Sequence, residues 1–123
     1  MKFFLKTSTI LLCFLLFFTT EVNAQKKSRK MIKADQAFSA EQYNKAAELY
    51  KKVYQSAKSR ALKSEIIYKQ AECYRLSGNI KRAESYYKRA IKAKYPDVIV
   101  YLRYADILRM NEKYTEAKEQ YQK

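Results

Sequence analysis

Apolar and polar residues alternate along most of this chain with the spacing of helices buried on one face. Met31, Ala34, Ala37 and Phe38 lie three or four residues apart, as positions on one side of a helix do. They predict a first helix over about residues 27–39. After a short turn at 40–42, Tyr43, Ala46, Ala47, Tyr50, Val53 and Tyr54 predict a second over about 43–57. Residues 58–63 read as a slightly long connection. Ile66, Ile67, Ala71, Tyr74 and Leu76 mark a third helix, about 62–76. Gly78, the sole glycine, reads as a left-handed helix stop, with Asn79 as the next N-cap. Ile80, Ala83, Tyr87, Ala90 and Ile91 carry a fourth helix, about 80–93. Pro96, the sole proline, stands where a fifth helix begins, with Asp97 against the helix dipole. That helix, about 97–110, holds Val98, Tyr101, Leu102, Tyr104, Ala105 and Leu108. Asn111 replaces glycine at the following turn, and a sixth helix starts near Lys113. No segment has the period of a strand.

The helices pair off in register. Ala46-x3-Tyr50, Ala83-x3-Tyr87 and Ala117-x3-Tyr121 are separated by 37 and then 34 residues, and so are Ala34, Ala71 and Ala105. Self-similarity at this period means stacked supersecondary units. Antiparallel helices joined by short turns cross at close range, and a methyl group at the crossing allows it. The fold class that follows is all-α: a solenoid of about three helix-turn-helix units. Their expected bounds are about 27–58, 62–95 and 97–123.

The two ends read differently. Lys2 and Lys6 precede an unbroken apolar run, Ile10–Phe18, and Val22-Asn23-Ala24 follows. This is the layout of a secretory signal peptide over residues 1–24, cleaved before Gln25. The run is shorter than the roughly 20 residues that span a bilayer. Export to the periplasm follows, with no transmembrane segment after cleavage. Tyr114–Lys123 reads as a helix with no stop signal, which predicts that the solenoid is cut short and that this is the N-terminal piece of a longer protein.

Composition narrows the chemistry. The chain has 26 Lys and Arg against 12 Asp and Glu. Without Lys2, Lys6 and Glu21 the exported part keeps a net charge of +13, which favours acidic partners such as anionic glycan or lipid. Export makes nucleic acid the weakest of these. All 12 tyrosines lie after the leader, so tyrosine is the main large core residue, ring inside and hydroxyl at the edge. Cys73 is the sole cysteine after cleavage. It reads as a small buried helix residue, with an intermolecular bridge as the alternative. There is no histidine, so the usual general base and zinc ligand are missing. One glycine builds neither a dinucleotide nor a phosphate loop. No enzyme, cofactor or metal site is expected.

Together these residues resemble the tetratricopeptide repeat, whose signature runs from a large residue and a small one through an aromatic to alanine, aromatic and proline. Ile67, Gln70-Ala71, Tyr74, Ala83, Tyr87 and Pro96 match in the second unit. Tyr101, Tyr104-Ala105, Leu108, Ala117 and Tyr121 match in the third. In the first, Lys30 and Lys33 stand where large apolar residues belong, which suits an N-terminal cap. The resemblance implies a groove lined by the first helix of each pair. It places Asp35, Tyr68, Lys69, Glu72, Arg75, Leu102, Arg103, Asp106, Arg109 and Met110 on or near it. Asp35, Glu72 and Asp106 each follow a packing alanine, and Arg75 and Arg109 lie one turn beyond the last two. Two readings stand: a peptide-binding surface of alternating sign, or a set of intrahelical ion pairs. An acidic residue occupies a groove position where chaperone-tail binders carry asparagine, so that subtype is disfavoured.

A narrower resemblance is to the N-terminal segments of large envelope proteins, in which such repeats precede a β-propeller and an OmpA-like domain. These proteins are associated with the outer membrane and type IX secretion. It implies protein partners at the envelope, and peptidoglycan association only through regions beyond this chain. The rival function is a polyanion-binding module. It would use Lys26, Lys27, Arg29, Lys30 and Lys33 with Lys81, Arg82, Lys88, Arg89, Lys92 and Lys94.

Overall fold

Serine and asparagine side chains set where three of the helices begin. The computed structural model describes residues 27–123, so the signal peptide expected over 1–24 lies outside the described residues. Ser28 accepts a hydrogen bond from the Met31 amide and opens α1, Arg29–Ser39. Helix α2, Tyr43–Ser56, follows after three residues. The Ser59 hydroxyl accepts from the Leu62 amide and opens α3, Arg60–Leu76. Asn79 caps α4, Ile80–Lys92, by accepting from the Arg82 amide. Helices α5, Ile99–Met110, and α6, Tyr114–Tyr121, are the last among the described residues. Each helix packs mainly on its neighbours in sequence, and no strand is present among the described residues. The all-α solenoid architecture expected from the repeat is the one observed.

Three boundaries differ from the expected ones, each for a local reason. The Ser59 cap starts α3 earlier than about residue 62. The three residues by which the first two units are further apart therefore lengthen this 17-residue helix, not the loop. Pro96 does not sit in the first turn of α5. Lys94 adopts a left-handed backbone, and the Asp97 carboxylate accepts from the Ile99 amide, so the helix begins at Ile99. Asn111 is not the left-handed residue. That conformation falls at Glu41, Gly78 and Glu112, which are again 37 and 34 apart. The turn is thus as periodic as the core, although only its middle copy uses the residue that adopts it without strain.

The core is built on six buried alanines, two per hairpin: Ala34 with Ala46, Ala71 with Ala83, and Ala105 with Ala117. Tyr50, Tyr87, Ile66, Ile107, Leu108 and Val100 fill the space around them. Val98, counted with the apolar positions of α5, is exposed, as is Leu102, which the resemblance placed at the groove; Val100 and Ile107 take the inner positions. The buried amide of Gln70 donates to the Ala47 carbonyl at 3.4 Å, which satisfies a polar residue where the repeat carries an apolar one. Cys73 is fully buried. Burial first, and Glu72 second, push its thiol up to about 12. It is a packed, unreactive side chain, and an intermolecular bridge would require the core to open.

Ala83 has no solvent exposure, so Ala83→Leu has nowhere to place three more carbons. It should lower unfolding free energy by about 1–3 kcal/mol in urea titration, whereas Ala61→Leu on the exposed face of α3 should change it little.

Candidate partner-binding groove

One contact recurs in all three hairpins. The Tyr50 hydroxyl donates to the Asp35 carboxylate at 2.6 Å. The Tyr87 hydroxyl donates to Glu72. The Tyr121 hydroxyl donates to Asp106 at 2.6 Å. Each acid follows a buried alanine of the first helix, and each tyrosine lies 15 residues later on the second. The alanine brings the helices close enough for the phenol to cross and reach the carboxylate. Burial, followed by the adjoining carboxylate, raises the Tyr50 and Tyr87 hydroxyls well above the ordinary phenol value. Both stay protonated and donate at any physiological pH.

Cations complete two of these struts, some from the same helix and some from the next hairpin. Lys69 of α3 donates to Asp35 at 3.1 Å and lies 5.6 Å from the centre of the Tyr50 ring. Lys27 donates to the same carboxylate at 2.8 Å. Arg75 grips Glu72 through two nitrogens, at 3.2 and 2.7 Å, and also donates to the Tyr87 hydroxyl at 3.1 Å. Arg103 of α5 approaches Glu72 at 4.0 Å. The ion pairs between Asp35 and Lys69, and between Glu72 and Arg103, set α1, α3 and α5 side by side.

The expected groove residues therefore divide into two sets. Asp35, Lys69, Glu72, Arg75 and Arg103 are brought together, but as internal struts. Glu72 with Arg75 is an intrahelical pair, as one reading had it. Asp106 with Arg109 is not, because among the described residues Asp106 has no Lys or Arg partner within 4.0 Å. Leu102, Met110 and Arg109 remain exposed on α5. Tyr68 is half-buried and stacks flat on Tyr95, ring centres 4.3 Å apart. Burial, then Glu72, pushes its phenol up to about 12.

Tyr95 and Pro96 were not among the expected groove residues. They belong to the α4–α5 loop, which carries no periodic signal. With Ser59, Ala61, Leu62, Glu65, Tyr68 and Lys69 they line a cleft of about 510 Å³ against α3. Its walls combine aromatic and aliphatic carbon with one carboxylate and one ammonium, a mixture suited to a peptide side chain. Among the described residues no cluster of Cys, Asp and Glu is placed to hold a metal ion, and no helix is long and apolar enough to cross a membrane.

The Asp35 strut gives a pH signature. Burial alone would raise its carboxyl, but hydrogen bonds from Lys27, Tyr50 and Lys69 outweigh that and hold it below the ordinary aspartate value of 3.8. A carboxyl lowered in the folded state contributes stability above its unfolded value and loses it as pH falls through the folded one. Urea midpoints at pH 7 and at about pH 3 should therefore differ more for the wild type than for Asp35→Asn.

The tetratricopeptide repeat family model matches residues 33–97 and again residues 68–123. Among curated protein sequences no relative matches the chain. The two overlapping matches take in the second half of α1 and every later helix, the same stretch over which alanine, acid and tyrosine keep register. This chain belongs to the tetratricopeptide repeat family, whose repeats mediate protein–protein interaction and are not themselves catalytic.

Proposed function

We propose that this chain is an exported scaffold of the bacterial cell envelope that holds a peptide or helix of a partner protein along α1, α3 and α5. The observation that carries the reading is the cleft beside the stacked Tyr68 and Tyr95. Lys69, which pairs with Asp35, is part of its wall, so the cleft adjoins the paired charges. The struts hold their side chains in fixed positions before a partner arrives, so less ordering entropy is lost on binding. The leader supports a periplasmic, outer-membrane-associated location. The resemblance to OmpA-like envelope proteins linked to type IX secretion supports the same setting, with any peptidoglycan contact made outside this chain.

One observation favours a second reading, binding of an anionic glycan or lipid headgroup. Helix α4 exposes Lys81, Arg82, Lys88, Arg89 and Lys92, and Lys94 follows it. Its sole acid, Glu84, is taken by Lys113 at 2.5 Å and by the Asn111 amide. The face is therefore basic without internal neutralisation.

Two exposed positions test the groove without touching a strut. Ala61→Arg fills the cleft, and Leu102→Glu charges the floor of α5. Together they should abolish capture of the partner from envelope extracts by the immobilised chain, with helicity by circular dichroism unchanged. Capture that survives both changes places the interface elsewhere. Capture that disappears in about 0.5 M salt, where screening is short, supports the polyanion reading.

A further inference from the structure

The cleft between α3 and the α4–α5 loop has an asymmetry of charge. Two ionic side chains line it, Glu65 and Lys69. Lys69 is engaged in its strut, with its ammonium 3.1 Å from Asp35 and 5.6 Å from the centre of the Tyr50 ring. Glu65 shares that same ammonium at 3.9 Å, and its side chain is 44% exposed. The field at Tyr95 is negative as well. Burial first, then the carboxylates of Asp97, Glu65 and Glu72, raise its phenol. In a chain with 26 Lys and Arg against 12 Asp and Glu, the loosely held charge of this cleft is thus an acid.

The aromatic wall is also unmatched. Tyr50, Tyr54, Tyr74, Tyr86 and Tyr101 each carry a lysine or arginine 4.5 to 5.7 Å from the ring centre. Among the described residues no cation lies over Tyr68 or Tyr95. These two rings stack within 6° of parallel. Tyr68 also meets Tyr87, ring centres 6.1 Å apart, so Tyr95 is the outer ring of the three.

We infer that this cleft receives an arginine side chain of the partner segment, its guanidinium flat on the Tyr95 ring and donating to the Glu65 carboxylate. The inference rests on the groove reading above and supplies its selectivity. A guanidinium is planar and weakly hydrated, so it stacks on an aromatic face while its edge donates to an acid. Arg89 already lies this way on Tyr86, 4.5 Å from the ring centre. Leu62 and Pro96 offer carbon to the methylenes of the incoming side chain. Lysine brings a compact, strongly hydrated charge that stacks less well. An acidic side chain would meet Glu65 and find Lys69 already held by Asp35. An apolar one would cover Glu65 without pairing it.

The probe is the tripeptide amide acetyl-Gly-Arg-Gly, titrated into the purified protein and followed through the ring NMR signals of Tyr68 and Tyr95. Its control carries citrulline, which keeps the shape of arginine and loses the charge. Saturable shifts are expected with arginine. Citrulline should bind about tenfold more weakly, as loss of a charge-assisted hydrogen bond implies. Glu65→Gln should remove that preference and Tyr95→Phe should keep it. Tyr95→Leu, with helicity unchanged by circular dichroism, should weaken the arginine peptide. Equal binding of the two peptides, a preference that survives Glu65→Gln, tighter binding of acetyl-Gly-Glu-Gly, or no saturable shift at either ring would each overturn the inference. If it fails while Ala61→Arg with Leu102→Glu still abolishes capture from extracts, the groove stands and only its arginine selectivity falls. Arginine preference with capture intact supports the chemistry of the cleft and overturns the groove reading instead.

Discussion

The structure depends on a phenol crossing from one helix to a carboxylate on its partner, at the point where two methyl groups let the helices meet. Alanine by itself specifies only closeness. Closeness allows several rotations of one helix against the other, and a carboxylate that must meet a hydroxyl 15 residues later removes most of them. The tyrosine serves both requirements, filling the crossing with its ring and fixing its angle with its oxygen. Because the acid lies part-buried, leaving it unpaired would cost more than the bond itself yields, so the contact selects one arrangement. The next unit's cation then registers hairpin on hairpin, as Lys69 does for Asp35.

That logic explains what the sequence disclosed. The alanine and tyrosine positions carry the hairpins, and the recurrence of both at one period carries the stacking. The acids were visible too, each one residue beyond an alanine. Their role was not, because a carboxylate can pair along its helix, across the hairpin or with a ligand, and linear spacing does not choose among these. Glu72 does the first two at once, with Arg75 and with Tyr87. The boundaries at Ser59 and Asp97 were missed because a single side-chain cap decides them, in stretches without apolar periodicity. Val98 was counted with the apolar positions of α5 from hydrophobicity alone, and it lies exposed just before the helix begins. The cleft escaped notice for a related reason. Half of it comes from Tyr95 and Pro96, in the loop before α5.

A basic protein whose charged groove residues are largely engaged with one another presents an unusual binding surface. The paired charges act as a rigid frame, while Leu102 and the lysines and arginines of α4 remain exposed. Rigidity on the groove side and unneutralised charge on α4 are separate properties of adjacent helices.

A double-mutant cycle on Glu72 and Tyr87, read by urea unfolding, measures the crossing contact most directly. If the hydroxyl–carboxylate bond fixes the hairpin, Glu72→Ala and Tyr87→Phe will show a coupling energy of about 1.5–3 kcal/mol, as hydrogen bonds to charged groups do. Losses that simply add, within about 0.5 kcal/mol, would mean that alanine packing alone sets the crossing and that the acid is incidental.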